Sequence, residues 1–355
     1  MELTPHDVAL LRLVAQRVAG PPLNSARDVV GLLTAVQAQD EPGAITSVAL
    51  RTTGRTRAGV VAAFDAGEIV RTWPMRGTLH TILAEDLAWM LPLMTSGPRV
   101  AAARRRPQLG LSEDEVDRAT EIATAELAGS GGLLRSELLA RWEDAGLAPA
   151  GGRGYHLIAE LAQRCVLCLG PYRDGDQQFV LVDEWVGAPR TLDRADALAE
   201  LALRYFRGHG PATVKDLMRW SGLPARDVRP GIEAVRDQLA AATVDGVEHL
   251  MDPATPELLA EHRDAASAVV LLPGFDEVIL GYQDRSMTLP PAHADRIVPG
   301  GNGVFRPTVV VDGRVVATWK TVGTGKNRRL EVDPFEPLPD DVAAAAAERY
   351  ADLPR

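Results

Sequence analysis

Apolar residues recur at helical spacing from the start of the chain, in the pattern Val8, Leu11, Leu13, Val14 and Val18, with Pro5 suited to a first turn. Ser25-Ala26-Arg27-Asp28 has the order of a helix cap and opens a second helix through Val29, Leu32, Leu33 and Val36. Pro42-Gly43 marks a turn, an apolar stretch begins at Ile45, and residues 59–66 read as a further helix. Two β-rich runs, 68–75 and 78–83, then flank Arg76-Gly77 as a hairpin. Helices followed by a hairpin are the pattern of a winged helix.

The order recurs twice. Helices are expected over 113–127, 134–142 and 155–164, followed by strands 166–169 and 178–182 around Arg173-Asp174-Gly175. Helices over 195–206, 213–220 and 226–239, the last interrupted at Pro230-Gly231, precede strands 242–244 and 247–250 around Asp245-Gly246. Beyond residue 265 the texture changes. Runs 268–273 and 277–282 are strand-like, 308–311 and 314–320 flank Asp312-Gly313, residues 323–329 suggest another turn, and a helix over 341–350 closes the chain. The expected architecture is α+β: three tandem winged helix-turn-helix units over 1–100, 101–190 and 191–255, then a β-rich domain over 256–355.

Composition narrows the class. With 355 residues, 46% hydrophobic and 24% charged, the chain has enough apolar material for several packed cores. No apolar run approaches the ~18 residues that span a bilayer, and the N-terminus has no secretory pattern, so a cytoplasmic, nucleoid-associated, monomeric protein is expected. Cys165 and Cys168, the two cysteines, supply half a structural zinc site and are expected to pack in or beside a strand rather than act as a redox pair. A net charge of −10 argues against nonspecific affinity for nucleic acid. Local fields matter more than the sum, and basic residues gather at Arg51, Arg55 and Arg57, at Arg71 and Arg76, at Arg104-Arg105-Arg106, and at Lys320, Lys326, Arg328 and Arg329.

Repeated helix-turn-helix units imply a DNA partner, although the same fold also serves protein contacts. Specific segments sharpen this. Gln37-Ala38-Gln39-Asp40, the run Arg76-Gly77-Thr78-Leu79-His80, Gly208-His209-Gly210-Pro211, Leu272-Pro273-Gly274-Phe275-Asp276, Gly281-Tyr282-Gln283-Asp284-Arg285, Gly301-Asn302-Gly303 and Val311-Asp312-Gly313-Arg314 occur in this order across nearly the whole chain. Together they resemble the AlkZ-type winged-helix DNA glycosylases. The resemblance implies tandem winged helices around a concave, C-shaped DNA-binding surface, with excision of N7-alkylated purines from duplex DNA. In some members it implies unhooking of interstrand crosslinks. Gln39 at the last motif position resembles the branch linked to self-resistance in producers of DNA-alkylating natural products.

Glutamines suit such a substrate. Gln cannot serve as an ordinary general base near neutral pH. An N7-alkylguanine is cationic and departs as a neutral base, so a held water and fixed dipoles aimed at the oxocarbenium-like sugar suffice. Gln37 and Gln39 are therefore the expected catalytic pair of a monofunctional hydrolase without cofactor, Schiff base or metal. Residues i and i+2 share a face on an extended segment but lie roughly 200° apart on a helix. Extended backbone before Pro42 would let both amides face one cleft, with Asp40 pointing away. A crosslinked base cannot swing out of the duplex, so a hairpin is expected in the groove. The candidates for DNA contact are Asn302 in the Gly-rich loop, Lys326, Arg328 and Arg329 in the basic turn, and Arg76 at the first wing tip. His80 is expected to support packing or a backbone hydrogen bond, His209 to cap or orient the helix-turn-helix, and Asp276, Tyr282 and Arg285 to form a structural polar cluster. On the residues alone, a non-catalytic winged-helix transcriptional regulator is the alternative, and a protein-interaction module a further one.

Overall fold

A computed structural model describes residues 1–354, with the backbone alone for Lys326. The chain forms two compact units, Met1–Val60 with Leu198–Arg355, and Val61–Ala197. Both mix helices with antiparallel strands. Among the described residues no helix is long and apolar enough to cross a membrane.

Local signals place most elements. Thr4, Ser25, Ser112 and Thr213 each accept from the backbone N–H three residues on, while the acidic side chain there returns the bond, so four helices begin at capping boxes. The turns Arg76-Gly77, Asp174-Gly175, Asp245-Gly246 and Asp312-Gly313 all have positive φ at both residues. That conformation matches the twist of a two-residue hairpin.

In the Val61–Ala197 unit, strands Ile69–Met75 and Thr78–Leu83 pair, and Leu167–Arg173 joins them at Arg71↔Leu169 and pairs on its other side with Asp176–Leu181. The ladder of the first hairpin breaks between Thr72↔His80 and Met75↔Thr78, where Pro74 has no N–H to give. Helices Glu113–Leu127, Arg135–Asp144 and Arg153–Gln163 close over this sheet through Trp73, Leu138, Trp142, Ile158, Leu161 and Phe179. Cys168 is buried in its strand, and burial pushes both thiols up, that of Cys165 to about 11, which disfavours the reactive thiolate.

In the other unit, helix Pro5–Ala15 packs against helix Thr255–Ser267 over a core of Leu10, Leu13, Val14, Leu259, Val278 and Ile279. A four-stranded antiparallel sheet runs in the order Arg329–Pro334, Arg314–Val322, Thr308–Val311, Val270–Leu272, and helix Asp340–Ala351 covers it at Ala346.

Several elements differ from the sequence expectation. Residues 277–282 do not form a strand; Glu277–Leu280 is a short helix whose start is capped by Asp276 Oδ1 accepting from Val278 N–H at 3.0 Å. The β-branched pair Val278-Ile279 favours a strand in isolation, and the cap and burial override it. The helix Ala225–Ala234 continues through Pro230. Helices Leu87–Met94, Ser96–Arg105 and Thr255–Ser267 had no counterpart in the periodicity reading.

Candidate active site

The Gln-x-Gln segment is built from a short strand, Val36–Gln37, entering a helix, Glu41–Leu50, whose second residue is Pro42. Asp40, the cap, is extended at φ −91° and ψ 90°, while Glu41, the residue directly before Pro42, already opens the helix. Ala35, Val36 and Ala38 are fully buried and pin the backbone.

The two glutamines meet as the extended spacing requires, but they are not equivalent. Gln37 is 3% exposed and Gln39 is exposed. Gln37 Nε2 donates to Gln39 Oε1 at 2.8 Å, and Gln39 N–H donates to Gln37 Oε1 at 3.1 Å. Both ends of the Gln37 amide therefore serve to hold Gln39. Where both amides were expected to face one cleft, one exposed amide is locked by a buried one. Asp40 turns its carboxylate toward the first turn of its helix, where the dipole favours negative charge. A Cβ placed on Gly43 would stand 2.5 Å from Asp40 Oδ2, so this approach needs glycine.

A buried carboxylate anchors the motif from behind. Glu277 Oε1 accepts from Gln37 N–H at 3.2 Å, and Glu277 Oε2 accepts from Trp220 Nε1 at 3.0 Å. His209 Nε2 lies 3.4 Å from the same oxygen. Glu277, His209 and Trp220 are all sealed from solvent. Tyr205 stacks on the His209 ring at 4.7 Å, and a Cβ on Gly281 would reach 2.7 Å from His209 Cδ2. His209 is thus a buried ring stacked on Tyr205 beside a carboxylate, a partner the sequence did not reveal. His80, also buried, lies 2.9 Å from the Thr78 carbonyl through Nδ1, as a packing histidine would.

Asp276, next to Glu277, is held by a different set. Arg51 donates to both of its oxygens at 2.9 Å, and Ser47 Oγ donates at 2.7 Å. Burial pushes this carboxyl upward, but the Arg51 charge and the hydrogen bonds outweigh it and hold it below its ordinary range. Tyr282 OH donates to the His209 carbonyl at 2.8 Å and accepts from Gln16 Nε2 at 2.9 Å, with the Arg12 guanidinium 3.5 Å over its ring. Arg285 Nε donates to the Ile279 carbonyl at 2.8 Å. The expected cluster of Asp276, Tyr282 and Arg285 therefore resolves into separate polar contacts. Two expected surface bases also move inside: Arg51 is buried against Asp276, and Arg106 is largely buried against Glu113 and Glu160.

Of the residues expected to meet DNA, Asn302 is exposed and its Oδ1 accepts from Val304 N–H at 2.9 Å, shaping the Gly301–Gly303 bend. Arg328 and Arg329 are exposed where the turn Gly325–Asn327 leads into strand Arg329–Pro334. The side chain of Lys326 lies outside the described residues. Arg76 belongs to the Val61–Ala197 unit, half-buried at its hairpin tip with Nη2 3.2 Å from His80 Nε2.

Sequence reasoning missed Glu277 as the anchor. A signal was present: two adjacent acids, Asp276-Glu277, lie between the apolar runs 268–272 and 278–280, and charged residues are rarely buried unless paired.

Comparison with known proteins bears on what this arrangement does. The family model described as DNA glycosylase AlkZ-like matches residues 30–355. An interstrand DNA cross-link repair glycosylase of Streptomyces sahachiroi is 30% identical over 344 residues, covering 92% of this chain and 89% of its own length. The structure of Streptomyces sahachiroi DNA glycosylase AlkZ superposes with a TM-score of 0.82 at 28% identity, covering 99% of this chain and 96% of that one.

Proposed function

Since the chain belongs to the AlkZ-like DNA glycosylase family, enzymes that hydrolyse N-glycosyl bonds in DNA, we propose that it removes N7-alkylated purines from duplex DNA by a monofunctional route in which Gln39 holds the attacking water. The supporting observation is the division of the pair: an exposed Gln39 amide fixed by a buried Gln37, whose backbone is tied to Glu277. The C1′–N9 bond breaks with its electron pair passing to the purine, which cancels the positive charge that alkylation placed there. Water then forms the new bond to C1′ and gives its proton to solvent. Gln39 acts as a fixed dipole that accepts a hydrogen bond from that water and presents partial negative charge to the sugar. Gln37 is a positioning residue and never needs to touch DNA.

Interstrand crosslinks are proposed as substrates on the same chemistry, in keeping with the activity named for the Streptomyces sahachiroi relative. In a producer of a DNA-alkylating compound this would give self-resistance. The DNA-facing parts in this proposal are three winged-helix segments, 1–100, 101–190 and 191–255, and the β-rich segment 256–355. Arg76, Asn302, Lys326, Arg328 and Arg329 contact the duplex, and the enzyme works as a monomer on DNA in the cytoplasm.

The test is a duplex carrying one N7-methylguanine. Free 7-methylguanine should be released and the strand should remain whole until alkali cleaves the abasic site. A covalent enzyme–DNA complex trapped by borohydride, or no free base, would overturn the proposal.

A further inference from the structure

A cavity of 610 Å³ lies in the unit that carries the motif. That volume is within the range of small-molecule sites. Leu289, Val298 and Phe305 give it an apolar wall, and Arg219 and Arg285 also line it. The Arg285 guanidinium stands 5.1 Å over the Phe305 ring. The guanidinium thus stacks on that ring, and the apolar wall of Leu289, Pro291 and Val298 beside it, with Asp284 and Asp295 also in the lining, suits an apolar group that carries polar edges.

The cavity adjoins the motif through Phe305. Its carbonyl oxygen would be 2.6 Å from a Cβ on Gly274, and that Cβ would lie 3.7 Å from Asp40 Oδ2. The wall of the cavity and the residue after Gln39 are thus separated by the thickness of one glycine. The helix Glu277–Leu280 ties both together, since Glu277 holds Gln37 and the Ile279 carbonyl holds Arg285.

Purine chemistry gives this adjacency a meaning. A substituent on N7 is separated from C1′ by only C8 and N9. Whatever holds water near C1′ must therefore leave room, close by, for everything attached to N7. A methyl group needs almost none, whereas a large adduct needs a cavity.

We propose that this cavity receives the non-nucleotide body of a bulky N7 adduct, an apolar or aromatic group still bonded to the purine, and that it sets the preference of the enzyme for large lesions over methyl ones. The proposal rests on Gln39 facing the glycosidic bond. Ala294, the exposed first residue of the short helix Ala294–Ile297, lines the cavity, so Ala294→Trp can fill it from the solvent side, with Ala294→Ser as the unfilled control. Single-turnover excision is measured on otherwise identical duplexes carrying N7-methylguanine or N7-benzylguanine.

Ala294→Trp should lower excision of the benzyl adduct by about tenfold or more while leaving the methyl adduct unchanged, and Ala294→Ser should match wild type on both. Equal effects of Ala294→Trp on the two substrates, including no effect on either, would overturn the proposal. Gln39→Ala separates this from failure of the site itself. If it abolishes excision of both adducts while Ala294→Trp does not discriminate, only the cavity assignment falls. If Gln39→Ala changes neither, the active-site assignment falls with it.

Discussion

Gln39→Ala should slow the release of N7-methylguanine by about 10²-fold or more in single-turnover reactions, with duplex affinity unchanged. The size follows from the loss of one preorganised dipole at the reacting centre. Gln39 is the exposed member of the pair, so its removal takes away the group that meets the water without opening the core. Gln37→Ala should slow the same step by a smaller factor. Gln39 would then keep its amide but lose both bonds that orient it, the 2.8 Å contact to its Oε1 and the 3.1 Å contact from its N–H. Quantifying free base by chromatography, with binding measured separately, distinguishes the two roles. Equal losses from both substitutions would mean that the buried glutamine also reaches the substrate.

Arg51→Ala should destabilise the protein by about 3–5 kcal/mol, because it leaves Asp276 charged, buried and without its partner. Both side chains are sealed from solvent and meet through two bonds of 2.9 Å. Replacing both at once, as Arg51→Met with Asp276→Leu, should cost much less than the single change, since no buried charge remains to be neutralised. Urea unfolding that shows a lower midpoint at unchanged slope measures this. The same pair makes stability depend on pH in one direction. Asp276 is more acidic folded than unfolded, so its contribution is fully present above the ordinary carboxylate range, about pH 4, and is lost as pH falls through the folded value. Because Asp276 precedes Glu277, loss of the pair should also loosen the anchor of Gln37, and activity should decline before global unfolding.

What could be read from the chain was what is encoded locally. The hairpins at Asp174-Gly175, Asp245-Gly246 and Asp312-Gly313 need positive φ at two successive residues, and that requirement is written in the residues themselves. The caps at Ser25 and Thr213 are likewise complete within four positions. The adjacency of Gln37 and Gln39 follows from extended spacing alone. The inequality between them does not, because it depends on which side chain the rest of the unit covers. Glu277 reaches Gln37 from 240 positions away, and Arg51 reaches Asp276 from 225. Pairings at such separations have no local signature, so Arg51 read as one of a basic surface run and residues 277–282 read as a strand. In both cases tertiary burial decided the outcome against local preference.

The pH dependence of single-turnover release of N7-methylguanine, compared in the wild type and Asp40→Asn, tests most directly whether a neutral amide carries the reaction. Asp40 follows Gln39 and bears the nearest carboxylate in sequence. Catalysis by Gln39 predicts a level profile across the weakly acidic range in both proteins, since the amide does not titrate and the alkylated purine keeps its positive charge until its N1–H is lost near neutrality. An acid limb in the wild type that disappears in Asp40→Asn would contradict it and make that carboxylate the base that activates water.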